Sequence, residues 1–124
     1  MIGLALSAAT AAAAQKDALA IPYATVAAAR KAVLAKPGGT KDEHDGWLVV
    51  TDQHDDAFTT WTFTPKGHAA HPALLRRDIV VVNGAPAVVT HFKCEAARKA
   101  CDAFYTRARA RIDACYRDCT TVIP

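Results

Sequence analysis

Serine is almost missing from this chain. Ser7 is the only one, and it lies in the apolar stretch that opens the sequence. A mature protein without that stretch is no serine hydrolase. No nucleophile elbow, Walker loop, zinc-protease helix or dinucleotide fingerprint occurs either; each is a fixed spacing that its chemistry depends on. There is no Cys-x-x-Cys, which a thioredoxin-like redox role needs. No segment supplies the about 20 apolar residues that cross a bilayer. Charge of either sign is modest. The balance of 15 basic and 12 acidic residues leaves +3, too mild to imply a nucleic-acid partner. The residues therefore assign no catalytic group, no cofactor and no metal.

What the chain does have sits at its two ends. Met1 to Ala14 carries no charge, and Ala12-Ala13-Ala14 supplies the small-x-small pattern that signal peptidase reads. Residues 1–14 are expected to be a signal peptide, although a basic segment before the apolar core is lacking. No cysteine follows the stretch closely, which argues against a lipoprotein anchor. Residues 15–124 then form one small domain, exported to the periplasm or secreted. All four cysteines fall in the last third: Cys94, Cys101, Cys115 and Cys119. An oxidising compartment would pair them.

Between the ends, periodicity predicts the elements. Thr25 caps a helix over Val26 to Lys36, with Val26, Ala29, Arg30 and Val33 at helical spacing, and Pro37-Gly38-Gly39 ends it. Thr40 to Gly46 reads as a polar connection. Trp47 to Thr51 reads as a strand and Asp52 to Ala57 as an acidic turn. Phe58 to Thr64 reads as a second strand, with Trp61 and Phe63 on one face and Phe58, Thr60 and Thr62 on the other. Leu74 to Val82 and Ala87 to Lys93 flank Asn83-Gly84, a strong hairpin signal. From Glu95 the period becomes helical, with Ala97, Cys101, Phe104, Ala108, Ile112, Cys115 and Cys119 in one stripe. The expected fold is α+β in the order α-β-β-β-β-α, a four-stranded antiparallel sheet with its helices packed on one face.

Four cysteines allow three pairings. Cys94–Cys101 with Cys115–Cys119 is favoured, provided that Cys94 lies in a non-helical approach. Were both Cys94 and Cys101 helical, their Cα atoms would stand about 10 Å apart. The alternative, Cys94–Cys119 with Cys101–Cys115, requires the helix to break and return between Ala103 and Ala114, where nothing breaks a helix. A zinc site competes, but the intervals of six, thirteen and three residues are not a knuckle spacing.

The loop running on from Trp61 and Phe63 through Pro65, Gly67, His68, His71 and Pro72 is the candidate binding loop. Two histidines three apart beside aromatics suit a ligand or metal; the same residues equally build a rigid connection. His44 with Asp42, Glu43 and Asp45, and His54 with Asp52, Asp55 and Asp56, make acidic turns of the kind that usually lies solvated. Arg107, Arg109 and Arg111 give the last helix a basic face, diluted by Asp102, Asp113 and Asp118.

The order Gly46-Trp47, then Trp61-x-Phe63-Thr64-Pro65-x-Gly67-His68-x-x-x-Pro72, then Arg77, then Cys94-Glu95-Ala96 through Ala100-Cys101 resembles a group of small exported proteins of Gram-negative bacteria with no assigned activity. The resemblance spans about Tyr23 to Phe104, and Cys115 and Cys119 stand outside it. It implies the periplasm and a Cys94–Cys101 bond, and it supplies no substrate. The functional expectation is a non-enzymatic binding or interaction module for a periplasmic protein or a small ligand. The alternative is a metal-binding protein using the loop histidines.

Overall fold

A computed structural model describes residues 21–54 and 57–115. The expected signal peptide, residues 1–14, and Cys119 lie outside the described residues, as does the side chain of Cys115. Helix α1 spans Val26–Ala35. Thr25 caps it by accepting the Ala28 amide at 3.0 Å, and the Glu95 carboxylate accepts the Val26 amide at 3.2 Å. Two of the amides that a helix N-terminus leaves without intrahelical partners are thus satisfied. Lys36, the residue before Pro37, is extended, as the proline ring demands of its predecessor.

Five strands follow: β1 (Thr40–His44), β2 (Trp47–His54), β3 (Ala57–Phe63), β4 (Ala73–Val82) and β5 (Ala85–Cys94). They form one antiparallel meander in sequence order. Helix α2, Arg98–Cys115, ends the described chain. The turns at Asp45-Gly46 and Asn83-Gly84 each hold two successive residues at positive φ, 50° and 84° in the first and 53° and 78° in the second. That is the type I′ geometry whose twist matches the strands it joins.

Register sorts the side chains onto two faces. Pairing of Leu48 with Phe63 and of Phe63 with Leu74 puts those three on one face, and Val50 and Trp61 lie beside them. Val26, Ala29 and Val33 of α1 pack there. Trp47, Ala73, Phe92 and Cys94 fall on the opposite face and meet Phe104 of α2. Trp47 and Leu48 are chain neighbours, as are Ala73 and Leu74, so the two clusters have the sheet between them.

Two expectations are corrected. The sheet has five strands, not four, because Thr40–His44 pairs with β2 from Thr40↔Thr51 to His44↔Trp47. All five residues of β1 are exposed, so this edge strand has no apolar period to reveal it. The helices also do not share one face: α1 covers the first and α2 part of the second. The reason lies in consecutive apolar residues such as Trp47-Leu48-Val49-Val50 and Ala73-Leu74-Leu75. A strand that is apolar at successive positions needs cover on both sides.

Candidate functional site

The structure divides the expected binding loop. Trp61 and Phe63 are buried in the α1 cluster at 5% and 2% exposure, and Trp61 lines a hollow there with Val33, Gly39 and Asp52. The residues from Pro65 to Pro72 instead form a clasp at the other face. Gly46 brings its backbone against Pro65, where an added Cβ would come within 2.8 Å of the proline Cβ. Gly67 is exposed. The His71–Pro72 peptide is cis.

The two histidines are held by hydrogen bonds of opposite sense. His68 Nδ1 accepts the Ala70 amide at 3.0 Å, so in its neutral form it carries its proton on Nε2. The His68 ring stands edge-on to Trp47 and to Phe104, with centroids 5.2 and 5.4 Å away. Burial first, then Arg107 and His71, lower its pKa below the ordinary histidine value. Thr64 Oγ1 accepts the Ala73 amide at 3.0 Å and donates to the Ala73 carbonyl at 3.2 Å. With that hydroxyl proton used, His71 Nδ1 is assigned as the donor to Thr64 Oγ1, 3.1 Å away. Both Nδ1 atoms are therefore engaged in fixing the chain. Among the described residues no group of three His, Cys, Asp or Glu side chains is placed to hold a metal. His44 sits on exposed β1 beside Asp45 at 3.2 Å, and the side chain of His54 lies outside the described residues.

Cys94 and Cys101 are bonded, with Cα atoms 5.8 Å apart. Cys94 is the last residue of β5 and Cys101 lies in the first turns of α2. The bond ties α2 to the sheet where Phe104 enters the Trp47–His68 cluster and stacks against Trp47 at 6.2 Å. Gly46-Trp47, the clasp and the Cys94–Cys101 bond are thus joined in one piece of architecture.

A polar network on the α1 face went unnoticed in the sequence. Asp78, 2% exposed, accepts from Thr59 Oγ1 at 2.6 Å. It also accepts from Arg76, through Nε at 3.0 Å and Nη2 at 3.3 Å. The guanidinium lies 4.9 Å from the centre of the Trp61 ring. Arg76 and Asp78 are two apart on a strand and so share a face; that spacing was the available signal. Both carboxylate oxygens are occupied, so Asp78 is placed as a structural partner and not as a general base. His91, across from Arg76 on β5, buries Nε2 without a hydrogen-bond partner among the described residues.

The second face is only partly covered. Beyond the reach of α2, Phe58, Ile79 and Val81 are exposed at 40%, 45% and 58%. Phe58 pairs with Ile79, and Ile79 with Val88, so they make one cross-strand apolar row, with Val81 and Pro86 as the next pair along β4 and β5. Single exposed apolar residues are ordinary; these lie contiguous on one face. No helix among the described residues is long and apolar enough to cross a membrane. No protein-family model, curated protein or solved structure matches the chain.

Proposed function

We propose that the chain is a non-enzymatic interaction module that works outside the cytoplasm, in the periplasm or as a secreted protein. It meets a protein partner with the uncovered half of its second sheet face. The carrying observation is the exposed row of Phe58, Ile79 and Val81 beside a half that α2 closes. A flat apolar area of this kind suits a protein surface, whereas a small ligand needs a concavity that buries most of it. The Cys94–Cys101 bond fits an oxidising compartment.

The test is affinity capture from periplasmic extract with the wild type, with a Phe58→Ser, Val81→Ser double variant, and with Lys36→Ser on the α1 side as a control. The expected result is a protein retained by wild type and control and lost with the double variant. Retention that is indifferent to Phe58 and Val81 sinks the surface assignment, and capture of nothing sinks the module. Location is checked by intact mass. Loss of residues 1–14 with no alkylatable thiol supports export, and an uncleaved chain with free thiols removes it.

A further inference from the structure

The two edges of the sheet are unlike. On β1 the exposed sequence Thr-Lys-Asp-Glu-His is short and charged. Charge on a short edge strand discourages another chain from pairing with it. The opposite edge, β5, is ten residues long and carries no Asp, Glu, Lys or Arg from Ala85 to Phe92. Among the described residues it is bonded on one side only, to β4.

Which amides face the open side follows from the ladder. The Glu95 amide donates to the Pro72 carbonyl at 2.9 Å, and the two-residue turn at Asn83-Gly84 is closed by Val82 and Ala85. In an antiparallel pair the hydrogen-bonded positions alternate. The odd-numbered residues of β5 therefore bond to β4, and Pro86, Val88, Thr90 and Phe92 direct their backbone outward. Pro86 fits that pattern, since a proline has no amide to donate and is tolerated on the open side of an edge strand.

We infer that β5 pairs antiparallel with β5 of a second copy, about a two-fold axis at Val89, to give a continuous ten-stranded sheet. The open span from Pro86 to Phe92 is centred on Val89, so this register uses all of it. Val88 then faces the second copy's Thr90, and Pro86 faces the second copy's Phe92. Lys93 falls opposite an alanine, Ala85, so no like charges meet. The arrangement also employs an aromatic ring that the monomer leaves exposed. Tyr105 is 38% exposed on α2 and packs on Phe92 at 5.3 Å, whereas Phe104 reaches inward to Trp47 and His68. With the second copy's Phe92 opposite Pro86, the second copy's Tyr105, which packs on that Phe92, is carried to the Pro86 end of β5. A second copy is preferred to an unrelated extended peptide because it supplies both the strand and this aromatic cover, in a self-complementary two-fold contact.

Pairing along β5 does not require a partner at Phe58. Sedimentation velocity on the full, disulfide-bonded protein over a concentration series, combined with amide hydrogen exchange, decides it. The expected result is a dimer in which the amides of Val88, Thr90 and Phe92 exchange slowly at high concentration and fast on dilution, while those of Val89 and His91 stay protected throughout. A dimer whose outward amides exchange freely overturns it. So does a monomer at every concentration, including one whose outward amides are protected because the chain's own ends cover the edge. Val88→Lys places two like charges close to the axis, and the dimer dissociation constant is expected to rise about tenfold or more; an unchanged constant also overturns the assignment. A monomer that still captures a partner through Phe58 refutes the dimer alone, and a dimer that captures nothing refutes the interaction reading alone.

Discussion

His68 is both a packing ring and a hydrogen-bond acceptor, and both roles need it neutral. Protonating Nδ1 breaks the bond from the Ala70 amide and puts charge between Trp47 and Phe104, with Arg107 and His71 raising the cost. Its folded pKa lies below the value of about 6.5 that unfolding restores, so in this window the unfolded chain binds the proton first. Stability should fall as pH drops through about 6.5. The melting temperature of the wild type is expected to decline more between about pH 7.5 and 5.5 than that of His68→Gln; equal slopes would show that this ring is not responsible. Asp78 gives a second prediction at this scale. Asp78→Ala leaves the Arg76 guanidinium, whose side chain is 13% exposed, without its carboxylate, and breaking a buried pair of this kind costs about 3–5 kcal/mol. Thr59→Val removes one hydroxyl donor to the carboxylate and should cost about 1.5–3 kcal/mol. Urea midpoints measure both, and an Asp78→Ala loss no greater than that of Thr59→Val contradicts the buried-pair account.

Among the elements, β1 shows how a strand can exist without a hydrophobic pattern. Its side chains are exposed, and what holds it is the Asp45-Gly46 turn, the ladder to β2 and one bond from Lys41 Nζ to the Leu34 carbonyl of α1 at 2.8 Å. The dipeptide Asp45-Gly46 was the legible signal, of the same kind as Asn83-Gly84, but the polar run before it reads as a loop because strand recognition rests on alternation. Gly46 serves two purposes here: it takes φ 84° and admits Pro65. Gly46→Ala is strained on both counts, and a loss of about 1–3 kcal/mol in the urea midpoint is expected. A neutral outcome would mean that the clasp yields to the added methyl. For α2 the anchoring is covalent and local. A bond closing so short a loop restricts the unfolded chain by about 2–3 kcal/mol, and it fixes the helix start that carries Phe104 into its aromatic cluster.

For the molecule as a whole, the decisive feature is uneven cover. The first face receives α1 and an internal Arg76–Asp78 pair, while the second receives α2 over only one end of the strands. The exposed remainder and the β5 edge, which no described strand pairs, adjoin each other. Phe58 and Val81 belong to the first of these surfaces and the backbone of Val88 to the second.

Local physics made the elements readable in the sequence. Thr25 and Pro37 bound α1, period-two alternation marks β3, Asn83-Gly84 turns β4 into β5, and Cys94 before a helical stripe permits the bond to Cys101. Each of these depends on residues close in the chain. The face that each helix takes, the burial of Trp61 and Phe63 away from the loop they precede, the use of His68 and His71 as fasteners, and the exposure of Phe58, Ile79 and Val81 were decided only by tertiary structure. A strand's sequence tells which residues share a face, but which face is covered depends on partners far away in sequence. The Thr59–Asp78 bond and the Glu95 cap on Val26, 19 and 69 residues apart, are contacts of that kind.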